Sequence, residues 1–155
     1  MPDHLPPTGR RLRAQQPAGP PDRPRWAGAT GPISTNIDVP AGTTRALTSY
    51  YRRTFDVANA AAVQRLTLVT RADDGVAVHV NGVEVGRSNL PNGPLTPGTY
   101  ASSAVSTSNA LASPVTFDVP VSLLRNGSNT IAVEVHSNYR STPNTSMDLT
   151  LTARS

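Results

Sequence analysis

The chain has 155 residues, 37% of them hydrophobic and 15% charged, which suits one globular domain and leaves no apolar run long enough to span a bilayer. All 14 basic residues are arginine and cysteine is absent, so lysine Schiff bases, P-loop lysines, disulfides, thiolate nucleophiles and cysteine-bound metals are excluded. The formal net charge of +4 belongs to the amino-terminal segment: residues 1 to 30 carry five arginines against two aspartates, and the rest carries nine arginines against eight acids. With no basic, aromatic-studded face on the domain, no nucleic-acid partner is expected.

Residues 1 to 28 hold seven of the 15 prolines and almost no periodic apolar residues, which predicts a disordered, basic tail ahead of a domain over 29 to 155. The first 30 residues lack the apolar stretch of about 7 to 15 residues that a signal peptide needs. Leu47 to Val57 alternates with a period of two and reads as a half-buried strand with Tyr51, Phe55 and Val57 on one face, beside the stem of Arg53. Val63 to Thr70 reads as a second strand. Asp73 to Ser88 reads as a hairpin, because Asn81-Gly82 between alternating valines is the pairing that a tight two-residue turn prefers. Setting Val80 opposite Val83 pairs His79 with Glu84 and Val78 with Val85. Val76, Val78, Val80, Val83 and Val85 then face inward, and Ala77, His79 and Glu84 outward.

Residues 89 to 114 are rich in proline and glycine and read as long loops with one short strand near Tyr100. Val115 to Val119 resumes as a strand, and Pro120 to Gly127 as a single helical turn ended by glycine. Thr130 to His136 alternates Ile131, Val133 and Val135 inward with Ala132, Glu134 and His136 outward, and Met147 to Thr152 closes the domain. About eight strands with no helix longer than a turn predict an all-β sandwich, and the long connection after the hairpin favours a jelly roll.

The succession YYRRTFDV, LTLVTRADDGVAVHVNGVEVGRSNLPNG, FDVP and LLRNGSNTIAVEVH resembles the galactose-binding-like jelly-roll module over residues 31 to 155. It is similar to the sugar-binding domain of family 2 glycoside hydrolases, and to accessory modules of secreted bacterial metallophosphoesterase or lamin-tail proteins. The resemblance implies a non-catalytic carbohydrate- or cell-surface-binding accessory module of a larger secreted protein, at an extracellular or cell-surface location. The alternative is a structural spacer or docking domain, whose partner is a neighbouring domain of the parent protein instead of a glycan. Such modules begin with further strands upstream of a W-x-x-G segment, which Trp26 to Ala29 matches in part. The basic, proline-rich residues before it therefore suggest a miscalled start, a fragment or a degraded copy.

In this fold ligands meet loops at one end of the sandwich, which places candidate ligand-binding residues at Asp74, Arg87, Asn89, Asn138, Tyr139 and Arg140. Tyr139 supplies an aromatic platform, and its neighbours Asn138 and Arg140 supply hydrogen-bond donors. Asp73 and Asp74, followed by Gly75, read either as a turn that caps amides or as a calcium or sugar-hydroxyl site like those of related lectin domains. No other cofactor is expected. The two carboxylates are adjacent on an extended chain and point apart, so they do not flank one bond as hydrolysis requires. The pairs His136 with Glu134 and His79 with Glu84 read as the polar outer face of a sheet, or as proton-sharing or metal-binding pairs. No serine stands in a nucleophile-elbow context, and no catalytic residue is assigned.

Overall fold

A computed structural model describes residues 46–140, 142 and 145–155. The expected tail over 1 to 28 and the Trp26 to Ala29 segment lie outside the described residues. In chain order the elements are β1 (Thr48–Val57), β2 (Arg65–Asp73), β3 (Gly75–Val80), β4 (Val83–Ser88), α1 (Thr107–Ala112), β5 (Val115–Val119), β6 (Gly127–His136) and β7 (Ser146–Arg154). One sheet runs β1-β6-β3-β4 and the other β5-β2-β7, with every described pairing antiparallel. The fold is a jelly-roll β-sandwich.

The core lies between the sheets, where alternate residues meet: Tyr51 of β1, Leu66 and Leu68 of β2, Val76, Val78 and Val80 of β3, Ile131, Val133 and Val135 of β6, and Met147, Leu149 and Leu151 of β7. Each buried aliphatic side chain contributes on the order of 1.5–3 kcal/mol relative to exposure. Phe55 and Val57 are half-buried at the far end of β1 and pack against this cluster.

The hairpin turn forms at Asn81-Gly82, with φ of 50° and 85° respectively, as a turn needing two left-handed residues requires. The Asn81 side chain does more than permit that turn. Its Oδ1 accepts from Thr130 N at 2.9 Å, and its Nδ2 donates to Leu123 O at 2.7 Å and to Asn129 Oδ1 at 2.8 Å. Asn129, 1% exposed, accepts from Arg125 N and donates to Arg125 O and Gly127 O, so the turn and the loop before β6 are one hydrogen-bonded unit.

Several expectations are corrected by the structure. Val80 pairs with Val83 and His79 with Glu84, but a bulge follows, and Val78 pairs with Gly86 rather than with Val85. The Phe117 ring occupies the space where a Cβ of residue 86 would stand, so only glycine fits opposite Val78. Val83 is 49% exposed because it sits at the hairpin tip on the sheet's edge strand. Ala77, although on the outward side of β3, is fully buried; its partners across the sheet, Arg87 and Glu134, carry much longer side chains. The segment around Tyr100 is irregular rather than a strand, and residues 107 to 112 form α1, capped by Ser106, whose hydroxyl accepts from Asn109 N at 3.2 Å. The turn after Pro120 is a short 3₁₀ turn over Val121–Leu123, and Gly127 already belongs to β6.

Candidate functional site

Asp73 ends β2 in one sheet and Gly75 begins β3 in the other, so Asp74 stands on the corner where the chain crosses between sheets. At the same end lie the connection from β4 to α1 and the connection from β6 to β7. Asp74, 8% exposed, ties them together: Oδ1 accepts from Val105 N and Oδ2 from Asn138 N, both at 2.6 Å. Its carbonyl accepts from Asn89 Nδ2 at 3.3 Å. Asn89, at φ 55°, holds Ser103 three times over, receiving from its N–H and hydroxyl and donating to its carbonyl. Asn138 Nδ2 donates to Ala101 O at 3.3 Å.

On the surface of this end stand Tyr139, 63% exposed, and Tyr100, 46% exposed. The Arg140 guanidinium lies 5.9 Å from the centre of the Tyr100 ring, and its Nε donates to the Tyr100 hydroxyl at 3.2 Å. Asp74, Asn89, Asn138, Tyr139 and Arg140 therefore gather at one end. Tyr100 was missed as a site residue; its one signal is that it is the lone aromatic in a long loop rich in proline and glycine.

Arg87 has a different setting. Its guanidinium makes two bonds of 2.6 Å to the Glu84 carboxylate and reaches Pro91 O at 2.7 Å and Gly93 O at 2.9 Å, so it pins the loop after β4. This hydrogen bonding with Arg87 holds the Glu84 carboxyl below its ordinary value.

Asp73, 5% exposed, accepts from the Thr107 hydroxyl at 2.9 Å and so attaches α1 to the corner. Burial pushes its carboxyl up to about 6; the Thr107 bond opposes this and the neighbouring Asp74 charge adds to it. Among the described residues no three histidine or acidic side chains converge as a metal would require.

A second polar arrangement covers the outer face of the four-stranded sheet. His136 is fully buried there, contrary to the expectation of an exposed face, because the loop through Pro97 and Thr99 lies over it. Its Nδ1 is 2.8 Å from Thr99 O and 3.0 Å from Thr48 Oγ1, which itself donates to Pro97 O. A carbonyl only accepts, so Nδ1 carries a hydrogen. Nε2 lies 3.2 Å from Glu134 Oε2. The Glu134 side chain is 15% exposed. The expected His79 and Glu84 neighbours lie 3.9 Å apart.

No protein-family profile matches the sequence, and no curated protein matches it either. Solved structures do. An α-L-rhamnosidase from Streptomyces avermitilis matches 83% of this chain and 12% of its own, at 22% identity and a TM-score of 0.50. A β-glucuronidase from Bifidobacterium dentium matches 84% of this chain and 20% of its own, at 24% identity and a TM-score of 0.38. A β-D-mannosidase from Dictyoglomus thermophilum matches 58% and 9%, at 18% identity and a TM-score of 0.38. The chain thus shares a β-sandwich fold with part of the rhamnosidase. It spans between 9% and 20% of the length of these glycoside hydrolases.

Proposed function

We propose that the chain is a non-catalytic, carbohydrate-binding accessory module of a larger extracellular protein, and that it receives glycans at the loop end of the sandwich. The observation that carries this reading is the pair of exposed tyrosines, Tyr100 and Tyr139, set beside Arg140 on loops that the buried Asp74 carboxylate fastens together. A flat ring offers the face on which the C–H side of a sugar rests, and Asn138 and Arg140 offer polar atoms beside it. The non-catalytic part rests on chemistry. Asp73 and Asp74, the one close pair of acids at this end among the described residues, are buried and occupied by Thr107, Val105 and Asn138, so neither is placed to donate or accept a substrate proton.

The test is a glycan array followed by titration calorimetry on the full chain. A saccharide that binds the wild type and loses at least tenfold in affinity to Tyr139→Ala or Tyr100→Ala, at unchanged Tm, supports the reading. A folded chain with no glycan ligand refutes it and favours the spacer or docking role. No helix among the described residues is long and apolar enough to cross a membrane.

A further inference from the structure

The outer face of the β1-β6-β3-β4 sheet carries a feature that the loop-end site does not use. Ala77 and Ala132 lie on it among longer polar side chains, and their exposure differs: Ala77 is fully buried, whereas Ala132 on β6 remains partly open to solvent. The register shows what rings Ala132. Arg52 of β1 stands directly opposite on one side and His79 of β3 on the other, while Glu134 follows two residues along the same strand, opposite Tyr50. Arg52 and His79 thus stand two strand spacings apart, about 10 Å, across a hollow floored by a methyl group.

Each wall has the chemistry of a sugar contact. Tyr50 is 56% exposed and diagonal to the hollow, and so presents a ring. Glu134 is an acceptor whose Oε2 lies against the fully buried His136, which is itself held by Thr99 O and Thr48. Arg52 is exposed and, among the described residues, has no acidic partner. Glu84 stands on β4, at the opposite edge of the sheet from Arg52, and both its oxygens are taken by Arg87. An unmatched guanidinium presents a planar fork suited to a carboxylate. These groups also stand on strands rather than loops, which keeps their spacing fixed.

We propose that this hollow is a second saccharide site, selective for an acidic pyranose, whose carboxylate is received by Arg52 with His79 facing it and whose hydroxyls are received by Glu134. The proposal stands apart from the loop-end site, and either can fail without the other.

The experiment is titration of the full chain with trisaccharides of galacturonate, glucuronate and mannuronate, each alongside its methyl ester, with backbone amide shifts recorded by NMR. Expected are saturable binding of at least one acidic trisaccharide, shifts centred on β1, β6 and β3, and at least tenfold weaker binding of its ester. Arg52→Ala and Ala132→Leu, the latter filling the hollow, should each weaken the acidic sugar by tenfold or more while leaving Tm within the error of the wild type. Equal binding of acid and ester overturns the selectivity. Shifts confined to the loops around Tyr100 and Tyr139, with loss in Tyr139→Ala but not Arg52→Ala, overturn the site and support the loop-end reading. Absence of binding to the whole panel overturns the proposal, while a neutral-glycan ligand at the loop end still stands.

Discussion

Replacing Asp74 with alanine tests whether one carboxylate holds the loop end together. In the wild type its two oxygens each accept a backbone N–H at 2.6 Å, from Val105 on one loop and from Asn138 on another. A hydrogen bond to a charged group contributes about 1.5–3 kcal/mol, and a buried N–H left without a partner costs about 1–3 kcal/mol. Removing the carboxylate also relieves the cost of burying a charge that is only 8% exposed, which offsets part of the loss. The expected net destabilisation is about 2–4 kcal/mol for Asp74→Ala. For Asp74→Asn, which retains one acceptor oxygen, it is about 1–2 kcal/mol. Urea unfolding with fitted m-values measures the total, and amide hydrogen exchange locates it: Val105 and Asn138 should lose protection ahead of core amides such as Val133. A loss below about 0.5 kcal/mol in Asp74→Ala, or undiminished protection at those two amides, would refute the assignment of Asp74 as the fastening of this end.

Three further outcomes are expected. Gly86→Ala drives a methyl group into the Phe117 ring and should destabilise the domain by about 1–3 kcal/mol in the same assay; a neutral effect would contradict the bulge register. Gly82→Val meets no steric obstacle but sits at φ 85°, so the backbone alone should lower stability by about 1–2 kcal/mol, and an unchanged midpoint would count against the turn. Asp73 binds its proton more tightly in the folded chain than in the unfolded one, with a value of about 6 against 3.8. Its contribution is therefore full below about pH 4 and is lost as pH rises through 6, by at most about 3 kcal/mol. Asp73→Asn should flatten this part of the stability profile between pH 4 and 7, and identical slopes in the two proteins would contradict it.

Much of the sandwich is legible in the sequence because its strands are half-buried and alternate cleanly. Ile131, Val133 and Val135, or Leu66 and Leu68, declare their face without further information, and Asn81-Gly82 fixes where the hairpin turns. What local pattern does not carry is long-range contact. The bulge that puts Gly86 rather than Val85 opposite Val78 depends on Phe117, some thirty residues on and in the other sheet. The burial of His136 depends on the Pro97 and Thr99 loop folding over it. The same holds for the candidate site. Asn138, Tyr139 and Arg140 are visible as an unusual loop triplet, but their link to Tyr100 and to Asp74 spans 40 and 64 residues. α1 was hidden because its six residues, Thr-Ser-Asn-Ala-Leu-Ala, are too few inside a proline-bounded loop to show an apolar period; the one local hint was Ser106 as a capping residue.

The pairing of β1 with β6 also bears on how the chain reaches its native state. Thr48 meets His136 across 88 positions, and Thr70 of β2 meets Asp148 of β7 across 78. Neither sheet can be completed locally, and closing such long intervals before any reward is collected places folding in the slow regime of roughly milliseconds to seconds. On the ribosome the first two strands emerge well before their partners are synthesised. Their described partners appear only with the final third of the domain, and until then their edges are open to pairing with other chains.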